Sequence, residues 1–241
     1  MTKREKFAIA VTIIYIVIMA IGMLLVKSFG FNYVQPEMVK VIIFSEIIMS
    51  ILVYVAYLKL KLRMLHTSFE FSLWLVPFAI ILLCALGLFL FTGDFGKNSS
   101  IIILVGITMV LVGFSEELLF RGILLHVLLE KRTVVYSIII SSILFSLLHS
   151  VNILGGLPLA GMIGQLILTF LFGVIFSCLS LLIKNIIPLI LYHFIWDFVI
   201  FSQSLVNAKL DWLASTAIIT EVIIIVPLFI YTVIYLQRKS H

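Results

Sequence analysis

Eight stretches of this chain are each long and apolar enough to cross a bilayer, at about twenty residues per span, and little sequence remains outside them. They are readable at residues 7–26, 38–58, 72–91, 100–129, 134–153, 161–183, 186–204 and 212–236. This succession predicts an all-α, polytopic membrane protein with about eight transmembrane helices. Composition agrees: 63% of residues are hydrophobic and 11% charged, with a mean hydropathy of +1.32, so no extramembrane domain fits. The fourth run is long enough to tilt or protrude, and the seventh is the shortest. The first run follows Lys3, Arg4 and Lys6 as a signal peptide would. It exceeds an h-region and lacks a small-x-small exit, which reads as a retained span.

The net charge of +5 follows from membrane topology and does not indicate nucleic-acid binding. Lys3, Arg4, Lys6, Lys59, Lys61, Arg63, Lys131, Arg132, Lys184, Arg238 and Lys239 fall at one set of helix ends. The opposite set carries only Lys27, Lys40, Lys97 and Lys209. By the positive-inside rule both termini face the cytoplasm, giving a multi-pass cell-membrane protein whose short loops and Ile-rich composition favour a bacterial plasma membrane. No basic reading motif accompanies the charge, which excludes nucleic acid as a partner. Cys84 and Cys178 lie singly in apolar runs and suggest ordinary packing. The division expected is three N-terminal spans at 1–99, a core of helices four to seven at 100–204 around an intramembrane site, and a C-terminal helix and tail at 205–241. Gly155-Gly156-Leu157-Pro158 breaks the chain between spans five and six.

Span four carries the most costly residues. Phe114-Ser115-Glu116-Glu117-Leu118-Leu119-Phe120-Arg121-Gly122 sets two acids and a base in hydrocarbon, where each costs about 2.5 to 3.5 kcal/mol at a helix centre. Glu117 and Arg121, four apart, share a helix face and can pair. Glu116 points about 100° away and is the better candidate for chemistry, although a kinked helix would exchange the two acids. His193 and Asp197 in span seven are also four apart, and His149 follows Phe145 by four, so the ring can pack beneath the imidazole. Measured from the cytoplasmic helix ends, Glu116 and Glu117 lie roughly 20 Å deep, Arg121 roughly 14 Å, His149 roughly 22 Å, His193 roughly 11 Å and Asp197 roughly 17 Å. These layers overlap, so helices four, five and seven can present their polar groups to one cavity.

Other intramembrane polar groups have simpler readings. Gln165 lies in span six. Glu46 in span two and Glu221 in span eight read as packing acids nearer the outer face. His66 and His126 read as interfacial, and Trp74, Trp212 and Tyr235 as an aromatic belt. A lone membrane histidine is commonly a hydrogen-bonded packing residue, and a Glu–Arg pair can be a helix–helix clamp. The matched depths nevertheless favour a functional set.

Glu116-Glu117-x-x-x-Arg121, Phe145-x-x-x-His149 and His193-x-x-x-Asp197, in that order on successive apolar segments, resemble the three motifs of the CAAX-processing and bacteriocin-processing (CPBP, or Abi) intramembrane endopeptidases. The resemblance covers roughly residues 100–200. It implies hydrolysis of a peptide bond in a membrane-associated peptide or protein tail, either a bacterial peptide precursor or a CAAX-type tail. Carried over, Glu116 and His149 look like the groups that activate a water, and Glu117 and Arg121 like a structural pair. His193 and Asp197 look like the groups that polarise the scissile carbonyl or complete the site. Many members carry Asn where this chain has Asp197. An amide donates to an oxyanion and an ionised carboxylate does not, so Asp197 is either protonated or orients His193.

Cofactor use stays open at this level. Two histidines with Glu116 and a water form an acceptable zinc set, while HExxH and GxGD motifs are absent and no Ser in a Gly-x-Ser context supports a serine mechanism. Two non-proteolytic classes also remain: a bacteriocin self-immunity protein and a proton-coupled transporter. A transporter should show repeats or broken helices, and neither is legible. Oligomeric state is not encoded in any motif.

Overall fold

The computed structural model describes residues 1–65, 68–96 and 98–239, so His66 and Lys97 lie outside the described residues. Among the described residues nine α-helices follow one another, with no strand. They are α1 (Lys3–Ser28), α2 (Val39–Leu60), α3 (Val76–Thr92), α4 (Ser99–Glu117), α5 (Leu125–Leu129), α6 (Val134–Leu148), α7 (Leu159–Ile183), α8 (Ile187–Ser202) and α9 (Asp211–Lys239). The protein is an all-helical, polytopic membrane protein. Seven rods are long and apolar enough to span a bilayer. One of these is α4 joined to α5 through a π-helical segment, Leu118–Leu124, a continuous run of 31 residues.

The eighth apolar helix is shorter than the sequence suggests. α8 has 16 residues, about 24 Å of rise against a hydrocarbon core of about 30 Å. It begins with Pro188 in its first turn, where a missing N–H costs nothing, and its end passes into irregular chain through Gln203 and Ser204. Irregular backbone is tolerated at membrane depth where it lines a cavity, and both residues do so. The span-five helix likewise stops at Leu148 and tightens into a 3-10 segment, His149–Gly155.

Helix ends that the charge pattern groups together share one end of the bundle. Arg4 pairs with Glu130 at 2.9 Å and Arg132 with Glu5 at 2.8 Å, joining the start of α1 to the α5–α6 turn. Lys59 lies 4.9 Å from the Phe7 ring centre. Lys184, which closes α7 in a left-handed conformation (φ 55°), pairs with Glu70. At the other end, the Tyr33 N–H donates to the Gly155 carbonyl at 2.8 Å and the Asp94 N–H to that of Val206 at 2.8 Å.

Close packing of α4 on α8 sets the site. A β-carbon at Gly113 would sit 2.9 Å from the Phe194 backbone nitrogen and 3.0 Å from the Ile190 carbonyl oxygen. Only a glycine allows this approach, and it places the acids one turn below against His193. A buried apolar cluster that includes Leu118, Leu119, Phe120, Phe145 and Leu148 fixes the π-helical segment against α1, α2 and α6.

Candidate active site

The two adjacent acids of α4 have different surroundings. Glu117 is fully buried, and its Oε1 accepts from Arg121 Nη1 at 2.9 Å and from His193 Nδ1 at 2.8 Å. Arg121 is also fully buried, with its guanidinium carbon 4.1 Å from the Phe145 ring centre and 5.7 Å from those of Phe172 and Phe176. Its Nε and Nη2 have no hydrogen-bond partner among the described residues, so the aromatic faces supply the remaining stabilisation of the cation. The expected Glu117–Arg121 pairing is present, and His193 joins it.

The pair sits at the start of the π-helical segment. Wider turns weaken the regular ladder, and side chains reinforce it: His126 Nδ1 donates to the Arg121 carbonyl at 2.6 Å and Ser141 Oγ to that of Phe120 at 2.8 Å. His126 therefore supports the segment as well as lying near its end.

Glu116 faces the other way, into a cavity of about 40 Å³ that it shares with Glu46, His149, Asn152, Asp197 and Tyr33. That volume accommodates at least one water. Glu116 Oε2, Glu46 Oε1 and Asn152 Oδ1 are buried without hydrogen-bond partners among the described residues. Glu116 Oε2 lies 3.9 Å from His193 Nε2, beyond direct hydrogen-bond reach. The cavity thus has a mixed apolar and polar lining and is supplied with unused hydrogen-bonding atoms.

His149 is oriented by its own helix. Its Nδ1 lies 3.0 Å from the Phe145 carbonyl and its ring packs on that of Phe145 at 5.0 Å between centres, as the four-residue spacing predicts. A carbonyl only accepts, so Nδ1 carries the proton and Nε2 is the basic nitrogen of the neutral ring. By the same rule His193 donates from Nδ1 to Glu117. Its Nε2 lies 3.4 Å from Asp197 Oδ2.

A second, larger cavity of about 550 Å³ adjoins the first, within the range of small-ligand sites. His149, Asp197, Tyr33 and Phe201 line both. His193 lines the large one, whose far wall comes from α9. Five of the six expected site residues therefore meet directly: Glu116, His149 and Asp197 around the small cavity, with His193 beside them and Glu117 held to His193. Arg121 stands behind, anchoring Glu117.

Several residues at these walls were not expected there. Glu46 and Glu221 read from sequence as packing acids near the outer face, yet Glu46 is fully buried on the small cavity and Glu221 lines the large one. Ser115 Oγ lies 2.7 Å from Tyr15 Oη and donates to Glu46 Oε2 at 3.4 Å. Asn152 donates to Gln165 at 2.9 Å and Gln165 to Tyr33 Oη at 2.7 Å. Burial raises the Tyr33 phenol above its usual range, so this hydroxyl acts as a neutral group. A lone acid in an apolar helix was the available signal for Glu46; nothing local marked Tyr33 or Asn152.

Residues 98–199 match the family described as type II CAAX prenyl endopeptidase Rce1-like. The matched stretch is the one that carries all three motifs, and the family is one of CAAX proteases within the CPBP group, as the resemblance read from those motifs implies. The Rce1-like domain spans α4 to most of α8, including all six expected site residues, while α1, α2 and α9 add cavity walls from outside it. No match to the chain appears among curated proteins or among solved structures.

Among the described residues no group of three His, Cys, Asp or Glu side chains is placed to hold a metal ion.

Proposed function

We propose that the protein is an intramembrane endopeptidase that hydrolyses a peptide bond in a membrane-associated peptide or protein tail, with water activated by Glu116 and His149. The observation carrying this reading is the water-sized cavity under Glu116, which meets a peptide-sized cavity at His149 and Asp197. The substrate class that fits the Rce1-like domain is a CAAX-type tail or a bacterial peptide precursor. The basic end of the bundle faces the cytoplasm, with both termini on that side, in a bacterial plasma membrane.

In this reading the scissile segment lies in the large cavity with its carbonyl carbon toward the small one. Glu116 takes a proton from the water as the hydroxide oxygen bonds to the carbonyl carbon, and His149 orients that water through Nε2. His193, protonated at both ring nitrogens and held in register by Glu117 and Arg121, presents its Nε2–H to the developing oxyanion, and Asp197 orients the ring. As the C–N bond breaks, Glu116 returns its proton to the leaving amine. Preorganised groups in a site screened from bulk water make each of these interactions stronger than it would be in solution.

The experiment is incubation of the purified protein in bilayers with lipid-anchored precursor peptides, with and without a strong chelator, read by mass spectrometry. Two complementary products differing from substrate by one water are expected from the wild type and none from Glu116→Ala. Full activity in Glu116→Ala would overturn the reading.

A further inference from the structure

The large cavity holds charge of one sign, apart from its imidazoles. Asp197 sits on the wall beside His149 and His193, Glu221 sits on the wall formed by α9, and among the described residues no Lys or Arg lines any part of it. Glu221 lies within the apolar span Ser215–Arg238, where a carboxylate persists only with a partner or water. Ala217 and Ile218, one turn before it, line the same cavity, so this face of α9 turns inward. Glu221 forms no hydrogen bond or ion pair with another described residue, whereas the buried Glu117 is matched by Arg121 within its own helix. Across the cavity are Trp196, whose ring face favours cations, and the neutral polar Gln203 and Thr169.

We infer that Glu221 forms a cation-binding subsite, which takes a Lys or Arg side chain of the substrate close to the bond that is cut. The inference rests on the endopeptidase reading and adds a sequence preference to it. A compact volume of about 550 Å³ is about 10 Å across, the length of some three extended residues. The basic residue therefore falls within three positions of the scissile bond. The substrate cation supplies the countercharge that the fold does not, and an acidic residue at that position meets Glu221 with like charge.

The test uses the full chain in bilayers and lipid-anchored synthetic peptides blocked at both ends, with Lys, norleucine or Glu placed in turn at each of three positions on either side of the cleaved bond. The quantity read is the Lys-to-norleucine ratio of kcat/KM within each protein, so changes in the amount of folded enzyme cancel. The wild type is expected to show a ratio of tenfold or more at one position. Glu221→Gln should bring that ratio near one, and Glu221→Lys should favour the Glu peptide instead. An unchanged ratio in Glu221→Gln, or a wild-type ratio near one at every position, overturns the subsite. If no peptide is hydrolysed, the same ratio is read from peptide affinities. A tenfold preference lost in Glu221→Gln then supports the cation site while the hydrolytic reading falls, and equal affinities overturn both.

Discussion

Glu116 and Glu117 are neighbours in sequence, yet one opens on a hollow and the other is sealed in a packed wall. Around Glu117 an arginine and an imidazole bond one carboxylate oxygen, three phenylalanine rings pack on that arginine, and Glu117 lines neither of the two cavities. Around Glu116 the neighbours stand back, leaving an unpartnered oxygen beside water-sized space. A buried ion pair can be close to neutral for stability while breaking it is costly. An acid on a cavity wall with no direct hydrogen-bonded counterion, by contrast, is open to proton transfer. On the proposed function the difference gives architecture to one acid and chemistry to the other, although both look alike in a hydropathy plot.

The largest effect is expected from Glu117→Gln, which leaves the Arg121 charge buried without its counterion. Removing one member of such a pair costs about 3 to 5 kcal/mol, so thermal melting in detergent should drop sharply and hydrolysis should disappear with it. A variant that melts like the wild type would show that the packed side is not structural. His149→Ala acts on the hollow side: kcat should fall about 100-fold, within the range for a lost acid–base group, with melting little changed. Stability loss as large as that of Glu117→Gln would erase the contrast.

Glu46→Leu keeps bulk while removing the second carboxyl from the small cavity. A kcat reduced by about tenfold with KM unchanged is expected, on the scale of one lost hydrogen bond, and Glu46→Gln should recover most of it. The smallest effect belongs to Asp197→Asn. An amide can still reach His193 and can donate to an oxyanion, so kcat should stay within about threefold of the wild type, on the scale of one modest hydrogen bond. A loss as large as that of His149→Ala would mean that the charge at position 197 is required.

Much of this site was legible because helical spacing is local information. Glu117 with Arg121, Phe145 with His149 and His193 with Asp197 are each four residues apart, so each pair could be placed on one face before any packing was known. The spans were legible for a similar reason, since length and apolarity alone identify them. What escaped is tertiary. Glu46 reaches Glu116 only because α2 packs on α4, and Tyr33 reaches Gln165 only because the α1–α2 connection folds back over Gly155. The π-helical segment gave no signal either: His126 reaches back five residues to the Arg121 carbonyl, and Ser141 meets that of Phe120 from α6. The same limit hid Glu221, a lone acid whose meaning comes from the cavity it borders.

Kinetics of Glu116→Gln provide the most direct test, because that change keeps the side chain's shape and removes only its capacity to take a proton. In bilayer-reconstituted protein that melts as the wild type does, kcat for a cleavable peptide should fall by about 1,000-fold, as expected when a general base is removed. Hydrolysis at the wild-type rate by that folded variant would contradict the assignment of chemistry to the hollow side of α4.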